Sequence, residues 1–168
     1  MQPGGRVLAF VALGSNLGRP VVQLQRALVE LDQLPDTRLV RASTFYRSPP
    51  LGPSPQPDYV NAVAHLATGL APLDLLSALQ GIERAHGRVP QTRRWMPRPL
   101  DLDLLLYDDR QMQEPLLTVP HPGMAERDFV LVPLAELDPS LTVPGLGPIG
   151  ALLERCPKGG LVPIGATP

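Results

Sequence analysis

Residues 7 to 13, VLAFVAL, are apolar on both faces and run into GSNLG, which predicts a central strand closed by a tight turn. From Pro20 onward Val21, Leu24, Leu28 and Leu31 recur at helical spacing, and Pro35 ends the segment, so a helix is expected there. A second strand is expected over roughly 38 to 47, followed by the Pro-rich loop SPPLGPSPQPD. In YVNAVAHLAT, Val60, Ala62, Ala64 and Leu66 alternate onto an apolar face and leave Tyr59, Asn61 and His65 on the other. Residues 72 to 86 predict a second helix with Pro72 and Asp74 in its first turn, Leu75, Leu76, Leu79 and Ile82 inward, Gln80 and Glu83 on its outer side, and Gly87 as its stop. After a loop over 88 to 99, LDLDLLLY places Leu100, Leu102, Leu104 and Leu106 on one face and Asp101 and Asp103 on the other.

The resulting order, β-α-β-β-α-β, predicts an α+β fold of ferredoxin-like type. Its sheet is expected to be mostly antiparallel, with helices on one face and a free face for chemistry. Beyond it a short hairpin or strand is expected near 110 to 118, a short helix near 123 to 126 and a final strand near 129 to 134. The Gly- and Pro-rich remainder from 145 has no clear period, and no internal repeat is visible.

Length and composition narrow the class. A chain of 168 residues, 43% hydrophobic and 18% charged, fits one globular unit, residues 1 to 168, and no apolar run approaches bilayer length. A lone cysteine, Cys156, excludes an internal disulfide and fits a reducing cytoplasm; with no clear basic segment or cleavage site at the start, a cytoplasmic monomer is expected. A net charge of -1 gives no general attraction to nucleic acid, and no membrane partner is expected. Lys158 is the sole lysine, so the other basic residues are arginines, and the 22 prolines favour stiff, shaped loops.

The chemistry concentrates around the paired aspartates. At i and i+2 on a strand, Asp101 and Asp103 point the same way with Cα atoms about 7 Å apart, and repel unless a cation lies between them. An isolated Asp-x-Asp is more often a solvated edge-strand pair, but Arg88, Arg93, Arg94 and Arg98 precede this one with no acid among them. Hard carboxylate oxygens suit Mg²⁺, which completes its shell with water and phosphate, and arginine matches phosphate oxygens bidentately. The combination points to a nucleoside triphosphate site. Tyr59 and Asn61 offer a flat ring beside an amide, suited to a planar heterocycle; His65 is assigned a structural role, and GSNLG lacks the lysine and spacing of a phosphate loop.

These residues fall within a wider set of motifs, ALGSNLG, FYRSPPLGP, QPDYVNA, IERAHGR, RRWMPRPLDLDLLLY and TVPHPGMAERDFVLVPLAEL, covering roughly residues 7 to 139. In this order and spacing they resemble the 6-hydroxymethyl-7,8-dihydropterin pyrophosphokinases of folate biosynthesis. The resemblance implies transfer of diphosphate from MgATP to the pterin hydroxymethyl group with release of AMP, and two Mg²⁺ ions. It assigns Asp101 and Asp103 to the metals and Arg88 and Arg98, on a mobile loop, to the ATP phosphates. Trp95, Gln80, Glu83, His121 and Arg127 match nucleotide-side positions. Tyr59 and Phe129 match the rings that sandwich the pterin, Asn61 the amide that reads its edge, and the segment Thr44 to Gly52, including Pro49 and Leu51, backbone contacts around it.

Three positions depart from the family pattern: Met96 where glycine is usual, Pro122 after His121, and Leu116 where some members carry a basic residue. Ordering of the loops around 48 to 57 and 88 to 99 by ATP is expected to exclude water. Two rivals share parts of the pattern: a metal-dependent nucleotidyltransferase or phosphodiesterase, and a non-catalytic ligand-sensing module on a ferredoxin-like fold. Neither accounts for Tyr59, Asn61, Phe129 and the arginine loop together.

Overall fold

In the computed structural model, residues 5–50, 55–87 and 99–164 are described. Leu51, Arg88, Arg93, Arg94, Trp95, Met96 and Arg98 lie outside the described residues.

The chain forms β1 (Val7–Ser15), α1 (Pro20–Asp32), β2 (Thr37–Ala42), β3 (Tyr46–Ser48), β4 (Tyr59–Thr68), α2 (Pro72–Ala85) and β5 (Asp101–Tyr107) in sequence. There follow a hairpin of β6 (Met112–Gln113) and β7 (Thr118–Val119), a 3-10 turn (Met124–Glu126), α3 (Asp128–Leu137), a second small hairpin of β8 (Thr142–Val143) and β9 (Gly147–Pro148), α4 (Ile149–Arg155) and β10 (Val162–Pro163). The predicted strand over 38 to 47 is thus two strands, with Ser43 to Phe45 between them.

The main sheet runs β10-β3-β4-β1-β5, with β2 also paired to β4. β1 and β2 are both antiparallel to β4, and β4 and β5 are both antiparallel to β1. Each helical crossover therefore joins two parallel strands with one strand between them, which is the split βαβ arrangement of a ferredoxin-like sandwich. Both crossover helices lie on one face. Their buried residues Leu24, Ala27, Leu31, Leu75, Leu79 and Ile82 pack with Ala9, Val11, Leu13, Ala62, Ala64 and Leu66 of the sheet.

A second core fills part of the opposite face. Val130, Leu131 and Leu134 of α3, with Ile149 and Leu152 of α4, cover Phe10, Val63, Leu105 and Leu106. The segment predicted as a strand over 129 to 134 is instead the helix α3, Asp128–Leu137. A short apolar run has no decisive period, and what selects the helix here is the sheet surface that Val130, Leu131, Leu134 and Leu137 cover at helical spacing.

A further correction concerns Leu106. The β1–β5 register pairs Val11 with Leu104 but Phe10 with Leu106, so Leu105 is an extra residue at a bulge. Beyond it the alternation reverses: Leu102 and Leu104 face the first core, whereas Leu106 joins the second. The bulge leaves Asp101 and Asp103, on its N-terminal side, in regular register.

Candidate active site

The uncovered part of the second face is organised around Gly14. In the sheet Gly14 lies opposite Asp101 on β5 and opposite Asn61 on β4, and Asn61 in turn lies opposite Tyr46 on β3. One row across four strands therefore carries a carboxylate, a bare backbone position, an amide and a phenol, with neighbouring strands about 4.8 Å apart. Asp103 begins the next row, opposite Ala12 and Val63. Gly14 supplies a floor without a side chain: a Cβ there would lie 3.3 Å from Asn61 Oδ1 and 3.6 Å from Tyr59 Cδ1.

Asn61 is buried and its Nδ2 donates to Ser48 Oγ at 2.6 Å. Ser48 is itself buried and lies across from Tyr59. The sequence marks Ser48 only as part of the Thr44 to Gly52 segment and not for its side chain, because a serine before two prolines reads as an ordinary loop residue. Thr44 N–H and Oγ1 both donate to Glu136 Oε2, at 2.9 and 3.0 Å, so that N–H is engaged within the protein. Pro49 is exposed just beyond Ser48.

The GSN segment, which ends β1 and begins the turn after it, ties together the segments that frame the site. Ser15 Oγ donates to the Pro99 carbonyl at 2.5 Å, fixing the entry to β5, and Asn16 Nδ2 donates to Gln56 Oε1 and to the Pro57 carbonyl, just ahead of β4. These two side chains explain the motif without a phosphate loop.

Glu83 departs from its expected outer position. It is buried, and its Oε2 accepts the Leu102 N–H at 2.7 Å, on the residue between the two aspartates. Gln80, one turn earlier on α2, is exposed.

Beyond β5 the chain returns to the site through the β6–β7 hairpin. The His121 N–H donates to the Leu105 carbonyl, and the Gly123 N–H donates to His121 Nδ1. Burial depresses the His121 pKa, the Arg127 guanidinium depresses it further, and Asp101 opposes both, so the three groups converge. Arg127 also lies over the Phe129 ring with its Cζ 5.9 Å from the centroid, inside the reach of about 6 Å for such a contact. Phe129, in the first turn of α3, is only partly buried against the second core.

A cleft of about 280 Å³ opens beside Asp103 and is lined by Leu76, Leu102, Leu117, Thr118 and His121. Leu116 stands at its mouth with 76% of its surface exposed. Apolar walls with a few polar groups suit a heterocyclic base next to a charged tail.

The aspartate pair fits Mg²⁺. The carboxylates project from one face in regular register, both half-buried. Among the described residues no group of three or more His, Cys, Asp and Glu side chains is positioned as a metal cage. Two carboxylates are what Mg²⁺ commonly takes from protein, the remaining positions going to water and phosphate.

The family model for 7,8-dihydro-6-hydroxymethylpterin-pyrophosphokinase matches residues 10–139. The chain belongs to this family. It is 53% identical over 152 residues to the 2-amino-4-hydroxy-6-hydroxymethyldihydropteridine pyrophosphokinase of Pseudomonas aeruginosa, covering 90% of this chain and 93% of that one. With the pyrophosphokinase of the same name from Haemophilus influenzae it is 51% identical over 149 residues, covering 89% and 92% of the two chains. The pyrophosphokinase fold is also that of a solved structure, Plasmodium falciparum HPPK-DHPS with pterin and p-hydroxybenzoate, at a TM-score of 0.71 and 14% identity. That alignment covers 92% of this chain and 42% of the longer one.

Proposed function

We propose that this pyrophosphokinase transfers diphosphate from MgATP to the hydroxymethyl group of 6-hydroxymethyl-7,8-dihydropterin, giving the pterin diphosphate and AMP, in folate biosynthesis. The observation that carries the assignment of roles is the Gly14 row, which puts the Asp101 carboxylate and the Asn61 amide on one face with only a glycine between them. A metal-bound polyphosphate on one side can thus meet a planar ring on the other.

In this reading the pterin lies over Gly14 between Tyr59 and Phe129, and Ser48 holds the Asn61 amide so that Oδ1 faces the ring's N–H donors. Asp101 and Asp103 would hold two Mg²⁺ ions, which when bound neutralise phosphate charge and keep the attacking and leaving oxygens in line. Glu83 keeps the backbone between them fixed. The cleft beside Asp103 takes the adenosine portion, and His121 and Arg127 lie at its phosphate end, the imidazole held neutral at pH 7. Arg88 and Arg98 would engage the ATP phosphates and Trp95 the nucleotide, and all three lie outside the described residues. The hydroxymethyl oxygen attacks the β-phosphorus, the bond from that phosphorus to the α,β-bridging oxygen breaks, AMP leaves, and the hydroxyl proton passes to solvent. In this reading the protein is a cytoplasmic monomer. Among the described residues no helix is long and apolar enough to cross a membrane.

The test is product analysis with MgATP, with and without the pterin, resolving AMP from ADP. Pterin-dependent AMP that disappears in Asp101→Ala and in Asp103→Ala is expected. Formation of pyrophosphate instead would move the protein to the nucleotidyltransferases.

A further inference from the structure

Glu136 lies in the last turn of α3, seven residues after Phe129, and at this spacing two helical residues share a stripe. Both its oxygens are engaged by the β2–β3 junction. Oε2 accepts from the Thr44 N–H at 2.9 Å and from Thr44 Oγ1 at 3.0 Å, and Oε1 accepts from the Tyr46 hydroxyl at 2.7 Å. Tyr46 lies directly across from Asn61, so a single carboxylate fastens α3 to the strand next to the pterin-reading amide.

Elsewhere on α3 the one side-chain hydrogen bond among the described residues is Asp128 Oδ2 accepting the Gly159 N–H at 2.8 Å, which ties the helix start to a loop and not to the sheet. Its contacts with the sheet are mostly apolar, and apolar surfaces resist separation more than they resist sliding or rotation. Inside the helix, Pro133 has no N–H to give to the Phe129 carbonyl, so the turn bearing Phe129 lacks one of its ties to the turn that follows. The three directional bonds at Glu136 supply what is missing. Burial alone would push the Glu136 carboxyl up, yet the bonds from Tyr46 and Thr44, with Arg41 nearby, leave it below its ordinary value, while burial and Glu136 push the Tyr46 phenol up to about 12.

We infer that Glu136 is a positioning residue for the pterin site: by fixing the rotation and axial placement of α3 against Thr44 and Tyr46, it sets the gap between Phe129 and Tyr59. This rests on the proposed function and adds a determinant of pterin affinity about two helical turns from the ring it places.

The experiment measures steady-state kinetics and direct pterin binding, in the presence of a non-hydrolysable MgATP analogue, for the wild type, Glu136→Gln and Tyr46→Phe. The pterin KM and Kd of Glu136→Gln should rise about tenfold or more, as expected when a charge-assisted hydrogen bond is lost, while the KM for MgATP stays within about twofold. Tyr46→Phe, which leaves both Thr44 bonds intact, should shift pterin binding less and in the same direction. Unchanged pterin binding in Glu136→Gln, or an equal loss toward MgATP, overturns the inference and leaves Glu136 a structural tie. If the wild type itself fails to bind pterin, the proposed function falls and this inference falls with it.

Discussion

Asp101 and Asn61 stand on opposite sides of one residue, Gly14, which is paired with both in the same sheet row. Within this fold the groups proposed to bind metal and to read the ring are thus separated by a distance that strand spacing fixes, and the residue between them has to be small. Gly14→Val should lower turnover about a hundredfold, as misplacement of about an ångström does in a positioned site, and should weaken pterin binding with MgATP binding largely kept. Its Cβ would meet Asn61 Oδ1 at 3.3 Å and Tyr59 Cδ1 at 3.6 Å. Separate titrations with the pterin and with a MgATP analogue check the split; equal loss of both would mean that the sheet itself had been disturbed.

The Asp103 carboxylate lines the cleft together with His121, and Asp101 opposes the depression of the His121 pKa. Asp103→Asn keeps the shape and removes one charge. The variant should need a markedly higher Mg²⁺ concentration for half-maximal activity at fixed ATP, and removal of divalent ions by chelation should abolish pterin-dependent AMP in the wild type. An unchanged Mg²⁺ dependence in Asp103→Asn would remove this residue from the metal site.

Glu83 meets the Leu102 N–H in a buried setting, so its loss leaves a backbone donor without that partner. Glu83→Leu should destabilise the protein by about 1–3 kcal/mol in urea unfolding, the range for an unsatisfied buried group. Glu83→Gln can still present an oxygen and should cost less. Turnover should fall in Glu83→Leu even where the protein remains folded, because the strand between the aspartates loses its brace.

His65 stacks on Phe10 with ring centroids 4.3 Å apart, beneath the second core. Burial lowers its pKa, with Asp138 opposing and Arg41 reinforcing the shift. A histidine lowered in the folded state binds its proton more readily when unfolded, so its contribution is present above the ordinary value of 6.5 and is lost as pH falls below it. Glu136, lowered from 4.5, adds a second loss on further acidification. Melting temperatures at pH 7.5 and pH 5.5, both chosen to bracket the first window, should therefore differ more for the wild type than for His65→Leu. Equal differences would show that His65 does not drive the acid sensitivity.

Local patterning in the sequence determined the order of elements from β1 to β5 apart from the break between β2 and β3, the split βαβ class, the inward leucines of both crossover helices and the shared face of Asp101 and Asp103. Each depends on a period of two or of 3.6 residues that a short stretch displays by itself. Motif order carried the assignment of Tyr59, Asn61 and Phe129 to the pterin, which periodicity could not supply. Three-dimensional packing decided the rest. Whether FVLVPLAEL became strand or helix depended on the apolar sheet surface left by Phe10, Val63 and Leu105, and the reversal at Leu106 on a bulge that only the β1 pairing reveals. The ties that hold the site cross long stretches of chain: Glu136 reaches Thr44 over 92 residues, Ser15 reaches Pro99 over 84, and Glu83 turns inward to Leu102. Hydrogen bonds of that kind leave no period in the sequence, because their partners become neighbours only after the sheet has closed between them.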